Sequence, residues 1–80
     1  MTADSIKKLI KSGIKDSEIE IIDSKGTGDH FSAVVISNQF EGKTLVERHQ
    51  MVYKSVSEIL TKELHALQLK TYSFQEWQKK

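Results

Sequence analysis

The sequence predicts a small α+β domain, with a three-stranded mixed sheet covered by helices in the order α-β-β-α-α-β-α. Two observations predict this class. Short segments in which apolar and polar residues alternate, or in which Val and Ile dominate, are typical of strands. Longer segments with apolar residues at spacings of three and four are typical of amphipathic helices. The 80 residues contain no proline, repeat or linker, so we expect one domain spanning residues 1–80.

The N-terminal part predicts a helix followed by two strands. The helix is expected to begin with Thr2 or Asp4 as its N-cap and to end at Gly13. Glu18–Ile21 alternates as a half-buried strand does, and Phe31–Ile36 is the second strand. The helix is indicated by apolar residues at helical spacing, namely Ile6, Leu9, Ile10 and Ile14.

A broad apolar stripe predicts that the segment after Gly42 is helical and covers the sheet. One helix, or a short helix and a longer one, fits this segment. His65–Tyr72 alternates again and is expected to be a third strand, reached by a parallel crossover. Ser73 and Glu76 form a capping box for a terminal helix on which Trp77 packs back against the domain. The stripe comprises Leu45, Val46, His49, Val52, Tyr53, Val56, Ile59 and Leu60.

Composition restricts the function classes. Twelve basic and 11 acidic side chains give a formal net charge of +1, which provides little drive toward nucleic acid or membranes. Without cysteine, the chain has neither a disulfide framework nor a thiolate metal site of its own. The longest apolar run, Ala33–Ile36, is too short to span a bilayer, and the N-terminus does not resemble a signal peptide. We therefore expect a cytoplasmic protein.

The sequence does not predict an enzyme. It offers no nucleophile paired with a base, no recognisable pair of carboxylates in a cleft and no phosphate loop. The Gly26-Thr27-Gly28 segment has no third glycine and does not join a strand to a helix, so a hairpin loop is the better interpretation.

The three histidines are the remaining metal-ligand candidates. His49 lies on the apolar stripe, which favours a packed structural histidine with a hydrogen-bond partner over a ligand. His65 lies where the helical segment meets the third strand, and spacing alone leaves a ligand role and a structural role equally open. His30 precedes the second strand, where an exposed structural histidine and a ligand are again both open.

Several motifs in their order resemble the BolA-like family. The segment FEGKTLVERHQMVY at residues 40–53 is followed by HAL at residues 65–67. GDHF at residues 28–31 precedes a strand, and LKTY at residues 69–72 precedes EW at residues 76–77. The resemblance covers nearly the whole chain and implies the class II KH-like (BolA-like) fold.

The resemblance also implies a function. The histidine of the family's His-Ala-Leu motif is an iron–sulfur cluster ligand, and His65 matches it. The family's second ligand is a Cys or His in the loop between the first two strands, but Ser24–Asp29 contains neither, which makes His30 the candidate. Members bind monothiol glutaredoxins, which supply a cysteine thiolate and glutathione to a shared [2Fe–2S] cluster. We therefore expect a non-catalytic adaptor in cluster trafficking or iron and redox regulation, including stress response, with no cluster bound by the isolated protein.

Two other functions compete with this interpretation. A KH-like transcriptional regulator would bind nucleic acid through a basic patch of Lys43, Arg48 and Lys54, although these cations are mixed with acidic residues and the chain lacks a Gly-x-x-Gly loop. An interaction module without metal would use exposed aromatic side chains near the C-terminus. The free protein is expected to be a monomer or a weak homodimer.

Overall fold

A computed structural model of the chain describes residues 2–23, 26, 30–57 and 66–79. The predicted fold class and order of elements are confirmed. A short 3₁₀ helix, η1, was not predicted, because three residues are too few for a periodic pattern. Residues 58–65, which include the end of the predicted helical stripe and His65, lie outside the described residues. The elements in chain order are α1 (Ala3–Gly13), β1 (Glu18–Asp23), β2 (His30–Ile36), η1 (Asn38–Phe40), α2 (Leu45–Ser55), β3 (Ala66–Tyr72) and α3 (Phe74–Gln78).

The three strands form one mixed sheet in the order β1-β2-β3. β1 and β2 are antiparallel, with Ile19 opposite Val35. β2 and β3 are parallel, with His30 opposite Ala66, as the predicted crossover requires. β2 is therefore the central strand, and both parallel strands begin at the same end of the sheet.

α1 and α2 cover one face of this sheet and enclose the core. Alternation along β2 directs Phe31, Ala33 and Val35 into that core, where each is buried. The helices approach closely, since a Cβ atom built on Gly13 would lie 2.6 Å from the Cβ of Ser55. The helical core residues are Ile6, Ile10 and Ile14 from the α1 segment and Val52 and Val56 from the α2 segment.

The expectation that the whole apolar stripe covers the sheet is wrong at its start. Leu45 is 61% exposed and Val46 is 66% exposed. They occupy the first turn of α2, whereas the buried contacts with the core come from Val52 and Val56 further along. Helical spacing alone does not say which turns of a helix contact the core, and here the first turn leaves both apolar side chains exposed.

Side-chain caps explain where the helices begin. The Thr2 side chain accepts a hydrogen bond from the backbone N–H of Ser5, which confirms Thr2 as the N-cap of α1. Ser73 and Glu76 form the predicted capping box of α3. In α3 the Trp77 ring packs against the ring of Tyr72, with 5.2 Å between their centroids. The predicted return of Trp77 onto the domain is thus confirmed. In the described part of the chain, no helix is long and apolar enough to cross a membrane.

Candidate functional site

The candidate site lies where the two parallel strands begin. His30 is the first residue of β2 and is half-buried. Its Cα partner across the ladder is Ala66, the first residue of β3, which directly follows His65 in the sequence. His65 itself lies outside the described residues, as does most of the loop before His30. The strand register therefore places one predicted ligand, His30, opposite Ala66, the residue that follows the other predicted ligand, His65, in the sequence.

Tyr53 of α2 reaches the same end of the sheet. Its hydroxyl donates a hydrogen bond of 3.2 Å to the carbonyl oxygen of Leu67, the second residue of β3. This hydrogen bond connects α2 to the start of β3. Leu67 directly follows His65 and Ala66 in the sequence. Helical spacing in the sequence places Tyr53 only on the apolar stripe. Its amphipathic character was the available signal, because a buried tyrosine requires a partner for its hydroxyl group.

The described residues do not form a complete metal site by themselves. Among them, no three His, Cys, Asp or Glu side chains are grouped so that they could hold a metal ion. A [2Fe–2S] cluster needs four ligands, and His30 is the one imidazole that this part of the chain offers at the strand ends. The donor set fits a cluster only if other ligands come from His65 and from a second molecule.

His49 occupies a packed position on α2, beside Tyr53. It is half-buried, and its ring meets the Tyr53 ring edge to face, with 6.4 Å between centroids and 83° between planes. Its Nε2 atom is buried and has no hydrogen-bond partner among the described residues. The position agrees with the expected packing, but the expected partner of Nε2 is not found in this part of the chain. Its structural role stays a prediction.

Arg48 is held within the domain by several contacts. Its Nη1 and Nη2 atoms donate to the two carboxylate oxygens of Glu76, at 2.6 and 3.3 Å. Its Nε donates to the backbone oxygen of Lys43 at 3.0 Å, and its guanidinium lies 5.9 Å from the centroid of the Phe40 ring. The Arg48 side chain is only 12% exposed. It therefore joins α2 to α3 and is poorly placed to bind a phosphate group.

The Arg48–Glu76 ion pair affects the pKa of Glu76, whereas the two lysines of the predicted basic patch lie apart from each other. The hydrogen bond from Arg48, and then the backbone N–H of Ser73, lower the pKa of Glu76 to about 2. Lys43 and Lys54 are exposed and lie near opposite ends of α2. The structure therefore does not bring Lys43, Arg48 and Lys54 together as one compact basic patch.

Comparisons with known proteins agree with the sequence motifs and the fold. The family model described as BolA-like protein matches residues 7–76. The solved structure of a BolA protein homologue from Coxiella burnetii superposes with a TM-score of 0.85 at 37% identity, covering 98% of this chain and 97% of that one.

Curated relatives show the same breadth of similarity. Protein BOLA2 of Arabidopsis thaliana is 42% identical over 71 residues, which cover 88% of this chain and 75% of the relative. The DNA-binding transcriptional regulator BolA of Escherichia coli (strain K12) is 29% identical over 85 residues, covering 98% of this chain and 81% of the relative. The family match includes every strand of the described sheet.

Proposed function

Because the chain belongs to the BolA-like protein family, we propose that it is a non-catalytic adaptor that shares a [2Fe–2S] cluster with a monothiol glutaredoxin. The observation that carries this proposal is the pairing of His30 with Ala66, the residue after His65. The glutaredoxin supplies a cysteine thiolate and bound glutathione, and the two histidines complete the ligand set. The adaptor acts in cluster trafficking or in iron and redox regulation.

Each residue at the strand ends has a distinct role in this proposal. His30 and His65 would hold the cluster through their imidazole nitrogens. Replacing two thiolates by imidazoles on one iron lowers the negative charge of the cluster and raises its reduction potential. The bond from the Tyr53 hydroxyl to Leu67 helps to hold the start of β3, whose first residue, Ala66, directly follows His65 in the sequence.

The test is a spectroscopic titration. The protein is mixed with a monothiol glutaredoxin, glutathione and reconstituted cluster, and visible absorption and circular dichroism are recorded. We expect the wild type to shift the cluster spectrum, His65→Ala to abolish the shift and His30→Ala to weaken or abolish it. His49→Ala is the matched control, since it removes the third histidine, on α2, and far-ultraviolet circular dichroism checks its folding.

The outcomes separate partner binding from ligation. A complex that forms with the same altered spectrum for both ligand variants would remove the histidine assignment. If the wild-type protein neither associates with the glutaredoxin nor changes its spectrum, the adaptor function is wrong.

A second candidate function is nucleic-acid binding, which is favoured by the name of the Escherichia coli relative. The ion pair between Arg48 and Glu76 counts against a strong basic patch, and leaves Lys43 and Lys54 as the exposed cations of the candidate set. Binding through phosphate contacts requires an affinity that falls steeply with salt. A duplex DNA titration at several salt concentrations, with Lys43→Ala and Lys54→Ala as variants, tests this function. An absence of binding, or binding that is insensitive to salt, would eliminate it.

A further inference from the structure

The sheet has a second face, opposite the helices, on which two adjacent cross-strand rows are accessible. In one row, Glu20, Val34 and Lys70 are Cα partners across β1, β2 and β3. In the next, the partners are Ile22, Ser32 and Gln68. Each of the six side chains is exposed or half-buried. We call these six residues the open face.

The open face combines an apolar stripe with balanced charge. Ile22 is 67% exposed, the largest value among the exposed large hydrophobic residues of the described chain. Val34 lies on the central strand, diagonal to Ile22 across β1 and β2. The hydroxyl of Ser32 contacts Oε1 of Gln68 at 3.3 Å, so these polar groups are paired within the sheet. Glu20 and Lys70 lie on the two edge strands, with Val34 between them.

This arrangement is self-complementary, and we propose that the open face binds a second copy of this chain. The two sheets pack face to face about a two-fold axis that runs parallel to β2. That rotation exchanges the positions of β1 and β3 across the interface, so Glu20 of each copy faces Lys70 of the other. Val34 meets Val34 of the second copy at the centre, and Ile22 lies over Gln68 of the second copy. Aligned sheets pack about 10 Å apart, a distance that these side chains span.

The charge pattern selects this occupant over others. A strand of nucleic acid or a uniformly acidic partner would be attracted by Lys70 but repelled by Glu20. A uniformly basic partner would be attracted by Glu20 but repelled by Lys70. A second copy related by the two-fold axis matches both charges at once. Six residues on each side make a small interface, so we expect a weak dimer that forms only at high protein concentration.

The open face is bounded by α3 at the end of the sheet where β1 begins and where β2 and β3 end. There the next row is Glu18, Ile36 and Tyr72, and α3 packs against it through the contact between Trp77 and Tyr72. At the opposite end, alternation places His30 on the same face as Ser32. Self-association therefore competes with any partner that engages His30, a consequence that rests on the proposed function, whereas dimerisation itself does not.

Charge reversal tests the two-fold arrangement directly, with the isolated protein and neither cluster nor glutaredoxin. The variants are Glu20→Lys and Lys70→Glu, measured by sedimentation equilibrium up to about 1 mM at low salt. Each variant alone places two pairs of like charges across the interface, and we expect its dimerisation to weaken on the order of tenfold or more. An equimolar mixture restores both opposite-charge pairs, so heterodimers form where neither variant dimerises alone.

Two controls isolate the effect of this surface. Glu41→Lys and Lys15→Glu reverse exposed charges outside the sheet and are expected to leave the dimerisation constant unchanged. Ile22→Ser removes the exposed apolar side chain and is expected to weaken the dimer without affecting folding, checked by circular dichroism. A protein that stays monomeric up to 1 mM overturns the proposal. So does a dimer that is insensitive to both reversals, or a mixture that fails to recover association.

Discussion

The two faces of the sheet are built from the same three strands, yet they differ in almost every physical respect. On the helix-covered face, Ile19, Val35 and Thr71 form one row and are all buried. One residue away along each strand, Glu20, Val34 and Lys70 face the other side and are exposed or half-buried. The buried side chains of these two rows therefore lie on the helix-covered face, whereas the side chains of the opposite row are accessible.

The largest predicted effect is a matched pair of truncations on β1. Ile19→Ala removes a side chain that is 6% exposed in the core, and we expect it to lower the free energy of unfolding by about 2–5 kcal/mol. Ile22→Ala changes the same residue type on the open face, where the cost should stay within about 0.5 kcal/mol. Urea denaturation of both variants measures the difference. Equal losses would contradict the assignment of the two faces.

The second prediction concerns the spacing of the helices over the covered face. Gly13→Ala places a Cβ atom 2.6 Å from the Cβ of Ser55, so the helices must shift apart. We expect a loss of about 1–3 kcal/mol, as for other overpacked contacts. Ser12→Ala, at the neighbouring exposed position, is the control and should be close to neutral. A neutral Gly13→Ala variant would show that the helices are less tightly packed than described.

The third prediction concerns the end of the sheet at which β1 begins and β2 ends. The Asp16 carboxylate accepts hydrogen bonds from the Ser37 hydroxyl at 2.6 Å and from the backbone N–H of Asn38 at 3.0 Å. Ser37 is buried, so Asp16→Ala leaves a buried hydroxyl without this acceptor, at a cost of about 1–2 kcal/mol. Asp16→Asn retains one acceptor oxygen and should lose less. Thermal unfolding of the two variants gives the ranking, and a reversed ranking would refute this explanation.

The smallest predicted effect is the acid dependence of the Arg48–Glu76 pair. The hydrogen bond from Arg48, and then that from the backbone N–H of Ser73, lower the pKa of Glu76 from 4.5 to about 2. Because the folded-state pKa is the lower one, the stabilisation is present above pH 4.5 and is lost as the pH falls toward 2. Glu76→Gln preserves a capping side chain but removes this titration, so unfolding free energy should depend less on pH between 5 and 2.

Glu41→Gln, which alters an exposed carboxylate outside this pair, serves as the control for the pH experiment. Part of the acid dependence should remain in Glu76→Gln. Hydrogen bonding lowers the pKa of Asp16, chiefly through Ser37, and that of Glu47, chiefly through the backbone N–H of Thr44. If the wild type and Glu76→Gln have the same pH profile, the ion pair does not contribute measurably in solution.

The predictability of each part depends on how local its cause is. The Thr2 cap and the Ser73–Glu76 capping box were predictable because, in each of them, the two residues that interact are three positions apart in the sequence. The ion pair of Arg48 with Glu76 was not, since 28 residues separate its members and the basic residue alone suggests a nucleic-acid contact. The exposure of Leu45 was missed because periodicity assigns a helix face but not which turns of that face are covered.

The candidate site shows the same division. Residue type made the three histidines candidate ligands, and the resemblance to a family then assigned His30 and His65 as the ligands. Placing His30 opposite Ala66 required the register of two parallel strands joined by a long crossover. The role of Tyr53 at the start of β3 likewise depended on a contact between residues 14 positions apart.

By itself, the sequence determined the order of the elements, the alternation that gives each strand two unlike faces, and the helix caps. These features arise from interactions between near neighbours, which any folded form of the chain must satisfy. The tertiary structure decided which strand face the helices cover, which charges face one another and which residues meet at the strand ends. Those outcomes depend on strand register and helix packing, which bring together residues that are distant along the chain.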